Sequence, residues 1–217
     1  MKRTILYLAA ILFMGCASAQ NKPGDTDFSK LPALAPEEAV ATFGGGCFWA
    51  SSEVFSELKG VNISMAGFAG GTTKNPSYED VCTESTGHAE VTQVYYDPKV
   101  ISYEMLVKAY FAFHDPTTLN RQGDDEGTSY RSIAFYRTPE EKKILDDAIK
   151  EVNASKHYNS PVVTQVVPFK VFYPAEKYHQ DYYKLHPDKP YIVYTSVPKV
   201  MKMRKAMKGY LKPEFAK

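Results

Sequence analysis

The stretch Ala39-Val40-Ala41-Thr42-Phe43-Gly44-Gly45-Gly46-Cys47-Phe48-Trp49 runs on through Ala50 to Gly60, and its reading decides the fold. Ala39 to Phe43 is a short β-rich run. Three glycines break it, and apolar residues then recur at helical spacing, at Phe48, Val54, Phe55 and Leu58, until Gly60 stops the pattern. The stretch therefore reads as strand, glycine turn and helix, with Cys47 at the helix start. Working outward, Val61 to Phe68 and Glu90 to Tyr96 read as strands, and Ser102 caps a helix over Tyr103 to Phe113. Arg131 to Tyr136 is a further strand. Thr138-Pro139-Glu140-Glu141 joins a capping box to a proline at the first helical position and starts a helix that runs to about Asn153. Val162 to Val167 is expected as a strand and Ala175 to Leu185 as a helix. Strands and helices do not alternate regularly, so the fold class is α+β with a mostly antiparallel sheet.

The chain has 217 residues, with 26 Lys and Arg against 25 Asp and Glu, and 44% hydrophobic residues. That is ordinary globular composition and excludes a disordered, collagen-like or polytopic membrane class. A net charge of +1 leaves no footprint for nucleic acid. Three cysteines do not make a disulfide scaffold. Lys2 and Arg3 precede an apolar run from Ile5 to Met14, and Ala17-Ser18-Ala19 fits a small-residue cleavage site. Residues 1–19 are therefore expected to be a signal peptide. Alternatively, Gly15-Cys16 closes a lipoprotein signal at residue 15 and makes Cys16 a lipid-anchored N-terminus. Either reading exports the protein, to the periplasm or to the outer membrane as a lipoprotein. Residues 20–35 read as a tether, and 36–217 as a single domain with a basic tail. That tail, with Lys199, Lys202, Arg204, Lys205, Lys208 and Lys212, is expected to be a solvated helix face rather than a binding patch.

Cys47 draws attention by its position. A helix start offers partial positive charge and free N–H donors, which favour the thiolate, and glycines let a ligand approach the backbone. Cys47 has no spaced Cys or His partners that would suit zinc. A sulfur nucleophile also needs an acid. Glu90 begins a strand whose Val91 and Val94 face inward, so partial burial is expected to raise its pKa and suit it to proton donation. A solvent-facing strand end is the competing reading. His88 is either an acid–base group or part of the Gly87-His88 turn. The acidic loop Arg121 to Ser132 lacks the alternating oxygen ligands of a calcium loop.

Gly46-Cys47-Phe48-Trp49, Gly87-His88-Ala89-Glu90, Arg121-Gln122-Gly123 through Tyr130-Arg131-Ser132, and Tyr178-His179-Gln180-Asp181-Tyr182 occur in that order. Together they resemble the A-type peptide-methionine (S)-S-oxide reductases, from about Ala39 to Tyr183. The resemblance implies a ferredoxin-like sandwich, its sheet flanked by helices and long loops, with no bound metal or organic cofactor. It implies Cys47 as nucleophile and Glu90 as the acid for the sulfoxide oxygen. Tyr78 and Tyr130 would hydrogen-bond that oxygen, Asp125 would order water and the substrate backbone, and Phe48 and Trp49 would receive the methyl group. His88 is placed with the substrate-binding residues. The implied partners are methionine-sulfoxide proteins and peptides and an external thioredoxin-like or glutaredoxin-like reductant, and the chain is expected to act as a monomer. Many members carry resolving cysteines in the C-terminal tail. Here the segment from Tyr183 to Lys217 has none, which leaves Cys82 as the other thiol of the mature chain.

Overall fold

The structure is a computed structural model that describes residues 31–216. The expected signal segment, Cys16 and most of the tether lie outside the described residues.

The element order is β1 (Ala39–Gly44), α1 (Phe48–Ser56), β2 (Val61–Ala69), α2 (Tyr78–Cys82), β3 (Ala89–Tyr96) and α3 (Tyr103–Phe113). After these come the two-residue strands β4 (Arg121–Gln122) and β5 (Asp125–Glu126), β6 (Ile133–Tyr136) and α4 (Pro139–Ala154). The chain continues through β7 (Gln165–Pro168), β8 (Phe172–Pro174), α5 (Tyr182–Leu185) and α6 (Val197–Ala206). The main sheet has the order β7-β6-β1-β3-β2-β8. Pairing is antiparallel except between β6 and β7. β3 lies between β1 and β2, so the β1-α1-β2 unit is split. With α3 leading to β6, this is the ferredoxin-like topology.

Helix boundaries follow their caps. The Ser102 side chain accepts from Met105 N–H at 3.3 Å. The Thr138 side chain accepts from Glu141 N–H at 3.2 Å, while the Glu141 carboxylate reaches back to Arg137 N–H at 2.6 Å rather than to Thr138. One face of the sheet packs Ala41, Phe43 and Val94 against Phe55, Leu106, Tyr110 and Phe113 of the helices. Phe43 stacks on Phe55 and Tyr110 with ring centroids 5.2 and 5.1 Å apart. Each such fully buried aromatic is worth about 1.5–3 kcal/mol of transfer free energy.

Three expectations are corrected. No single helix spans 175–185. A 3₁₀ turn at Lys177–His179 and α5 are separated by Gln180 and by Asp181, whose φ is +54°. The reason is Gln180, whose buried side chain pairs with the edge of β2 at Ala66, next to where β8 pairs. Its amide oxygen accepts from Ala66 N–H at 3.0 Å, and its NH₂ donates to the Ala66 and Ala175 carbonyls, both at 2.9 Å. The strand expected at 162–167 begins only at Gln165, where parallel pairing with Ile133 starts. The basic tail is not a uniformly solvated face. Val200, Met203 and Met207 are buried against α1 and α3, and Arg204 makes a two-pronged pair with the fully buried Glu57 at 2.6 and 2.8 Å. Lys202, Lys205 and Lys208 remain exposed.

Candidate active site

The glycine loop sets the position of Cys47. Gly44 passes so close to β3 that an added Cβ would sit 2.8 Å from the Glu90 carbonyl oxygen. Gly46 has φ +87°, and a Cβ there would meet the Gln122 side chain at 2.6 Å. Gln122 cannot easily yield, because its amide is bonded at both ends to the Asp115 backbone, at 3.0 and 2.9 Å. The loop therefore delivers Cys47 to the start of α1 directly over β3.

There Phe48 N–H, one of the unpaired donors of the helix start, points at Glu90 Oε2 at 3.0 Å. The Glu90 carboxyl also meets the Cys47 thiol. Cys47 is 6% exposed and Glu90 2%. Burial pushes the Glu90 carboxyl up to about 8, opposed by the Phe48 N–H and raised further by Asp125. Glu90 thus holds its proton at neutral pH. The Cys47 thiol is also pushed up, first by burial and then by a charged Glu90, against the lowering contributed by Trp49 N–H and the Tyr191 hydroxyl. This corrects the expectation of a thiolate favoured by the helix start, because at this depth desolvation outweighs the helix-end charge.

Aromatic side chains wall the recess. Phe48, Phe68, Val81 and Ala175 form a buried cluster with Cys47, and Trp49, Tyr78, Tyr130 and Tyr191 pack against it. The Trp49 indole N–H donates to His179 Nδ1 at 3.1 Å, and its ring stacks on Tyr182 with centroids 3.8 Å apart. His179 also packs on Tyr78, 4.3 Å between centroids. Tyr78 starts α2, where Ser77 and Asp80 form a complete capping box, and its N–H donates to Glu176 at 2.9 Å. Tyr130 ends the 3₁₀ turn Thr128–Tyr130. Glu84 clamps that turn, accepting from Ser129 N–H at 3.0 Å and Ser129 Oγ at 2.6 Å. Burial, then the Glu90 charge, raise both the Tyr78 and Tyr130 phenols well above their ordinary range, so each remains a proton-bearing donor.

Of the sequence-expected residues, Cys47, Glu90, Tyr78, Tyr130, Asp125, Phe48 and Trp49 converge here. His88 does not. Its Nδ1 accepts from Gly71 N–H at 3.1 Å, so Nε2 carries the hydrogen and donates to the Thr73 carbonyl at 2.8 Å. With both nitrogens committed to backbone, His88 fastens the Gly71 loop and is not in the recess. Cys82 is exposed, with its thiol against the Tyr78 hydroxyl. Two residues of the recess escape sequence reasoning. The Tyr191 hydroxyl meets Asp125 Oδ1 at 2.9 Å and Oδ2 at 2.8 Å, and Lys199 Nζ lies 3.4 Å from Oδ2. Neither lies in a local motif, since the C-terminal chain brings them in from the far side.

A sulfur nucleophile buried beside a proton-holding acid, on a ferredoxin-like sheet, is the equipment of a thiol-dependent α+β oxidoreductase. Comparison with known proteins narrows this class. The family model described as peptide methionine sulfoxide reductase matches residues 39–210, so the chain belongs to the peptide methionine sulfoxide reductase family. It is 45% identical over 176 residues to the peptide methionine sulfoxide reductase MsrA of Polynucleobacter asymbioticus, covering 81% of this chain and 93% of that one. With the MsrA of Saccharolobus solfataricus it shares 50% identity over 166 residues, covering 76% and 93%. The crystal structure of reduced Mxr1 from Saccharomyces cerevisiae matches with a TM-score of 0.66 at 33% identity, over 72% of this chain and 91% of that one. The protein is an enzyme that reduces methionine sulfoxide to methionine and so repairs oxidised proteins.

Proposed function

We propose that Cys47 attacks the sulfur of a methionine S-sulfoxide and that Glu90 protonates the departing oxygen. The observation that carries this is the Glu90 carboxyl, which is bonded to the helix-start N–H of Phe48, the residue after Cys47, while burial keeps it protonated. Negative charge builds on the sulfoxide oxygen as the sulfur–sulfur contact forms. Glu90, Tyr78 and Tyr130 are donors that bind the oxygen more strongly in that state than before it. Glu90 gives its proton to the oxygen and takes the one that Cys47 sheds. The hydroxyl passes to Cys47, and the sulfur–sulfur contact breaks to release methionine. The sulfoxide is reduced by two electrons and Cys47 is oxidised by two, to the sulfenic acid. Trp49 and Phe48 provide an apolar side for the methyl group, opposite the polar oxygen side, and that asymmetry reads the chirality of sulfur. Asp125 faces the same recess and is suited to the substrate backbone.

Regeneration is assigned to an external protein thiol of thioredoxin-like or glutaredoxin-like type. It attacks the sulfenic sulfur and releases water, and its second thiol then resolves the mixed disulfide. The cysteine-free stretch from Tyr183 to Lys217 supports this reading. Residues 1–19 are proposed as an export signal, or residues 1–15 as a lipoprotein signal ahead of Cys16, on the strength of Lys2, Arg3 and the apolar run that follows.

The test is single-turnover reduction of the two separated sulfoxide epimers with dithiothreitol, for wild type and Cys47→Ser. Only the S epimer is expected to react, and only with wild type. Serine-variant activity within tenfold of wild type would remove Cys47 from the chemistry.

A further inference from the structure

The C-terminal helix α6 reaches the recess through one side chain. Lys199 is 11% exposed and the Asp125 side chain it pairs with 10%, so this ion pair is largely withdrawn from water, unlike those on α4. The ammonium also stands where an added Cβ on Gly46 would meet it at 3.4 Å, beside the residue that precedes the nucleophile. Between Asp125 and Cys47 stands Tyr191. Its hydroxyl donates to the Asp125 carboxylate at 2.8 and 2.9 Å, and its side chain packs against the buried cluster that holds Cys47, which makes the sulfur the second claimant on its one proton. A carboxylate with no counter-ion would hold that proton and would also repel charge on sulfur.

We propose that Lys199 is a positioning residue for the thiol chemistry: by neutralising Asp125 it leaves the Tyr191 hydroxyl able to donate to Cys47 as charge develops on the sulfur. The inference builds on the assignment of Cys47 as nucleophile and adds a residue to that site. The charged and titratable groups facing Cys47 are Glu90 from β3, Asp125 from β5, Tyr130 from the 128–130 turn and Tyr191 from the C-terminal chain, and Lys199 joins this set through Asp125. Lys199 is the cation of this set. Glu90 and Asp125 are the acids of the set and both raise the thiol, so loss of the cation that pairs with Asp125 disfavours charge on the sulfur.

The experiment is the pH dependence of Cys47 alkylation by iodoacetamide, followed by peptide mass spectrometry, which needs neither substrate nor Glu90 as acid. Lys199→Met is expected to move the midpoint upward by about one pH unit, a tenfold loss of thiolate at neutral pH. Its rate should rejoin wild type at alkaline pH, and Lys199→Arg should restore most of the loss. In an Asp125→Asn background, the further change Lys199→Met should alter the neutral rate less than about threefold. That double variant removes both charges together, so it supplies the comparison if a lone buried carboxylate prevents folding. An unmoved midpoint, a loss equal at every pH, or an undiminished effect without Asp125 would overturn the proposal. Failure of the Cys47 assignment is seen separately, as wild-type Cys47 left unoxidised by substrate.

Discussion

Replacing Glu90 by Gln is expected to make the enzyme slower and the fold more robust, with the gain growing as pH rises. In the folded protein the Glu90 carboxyl is pushed up to about 8 from an ordinary value of 4.5, mainly by burial. Folded-state elevation of an acid means that, between those two pH values, the folded chain keeps a proton that the unfolded chain has released. Raising the pH then favours the unfolded state by about 1.36 kcal/mol per pH unit. The penalty is absent below the unfolded value and complete above about pH 8. Integrated across that window it is on the order of 5 kcal/mol, and the 2% exposure of Glu90 leaves little solvent screening to reduce it. A Gln side chain still accepts from Phe48 N–H but carries no charge to desolvate. Urea unfolding of both proteins should therefore be similar near pH 5, with Glu90→Gln the more stable by several kcal/mol at pH 8 and the slope m unchanged. Single-turnover reduction by the variant should fall by roughly the 10²–10⁴-fold typical of acid catalysis. Parallel stability curves for the two proteins from pH 5 to 9 would refute the reasoning, because the carboxyl would then not be held protonated by the fold.

Gly46→Ala places a side chain at φ +87° and drives its Cβ to 2.6 Å from the tethered Gln122. The left-handed backbone and the overpacking together should cost about 2–5 kcal/mol, read as a lower urea midpoint, with single-turnover activity falling as Cys47 shifts. Cys82→Ser should retain multiple turnover with dithiothreitol. Intact-mass analysis of wild type after one turnover without reductant should show one added oxygen on Cys47, and a Cys47–Cys82 cross-link in the peptide map would contradict the external-thiol reading.

The glycine loop and helix α1 were legible because three glycines followed by a helical apolar pattern leave few alternatives, and the caps at Ser102 and Thr138 carry their own chemistry. The convergence of Cys47, Glu90, Tyr78, Tyr130 and Asp125 rested on resemblance, since no spacing brings four distant segments together. Residues 175–185 misled because their composition suits a helix. What breaks them is the long-range bond of Gln180 to Ala66, which local propensity does not contain. β8 was missed because three residues, Phe172–Pro174, become a strand only by pairing with β2. In the tail, Lys199 and Lys202 look alike in the sequence, yet one pairs with Asp125 and the other faces water. The direction of the Cys47 shift was also hidden, because depth of burial is a property of the assembled core.

The Gln180 bond at the β2 edge has a consequence beyond the break it causes in the chain. A sheet with an open edge invites backbone pairing from any extended chain it meets, and that is how aggregates begin. Here β8 and β7, the outermost strands, are three and four residues long, and each ends on a proline, Pro174 and Pro168. Next to the short β8, the amide of Gln180 occupies both backbone groups of Ala66, where a foreign strand would otherwise dock. An enzyme that works on damaged polypeptides meets extended chains as part of its task, and this one offers them a side chain to reach for but almost no strand to join.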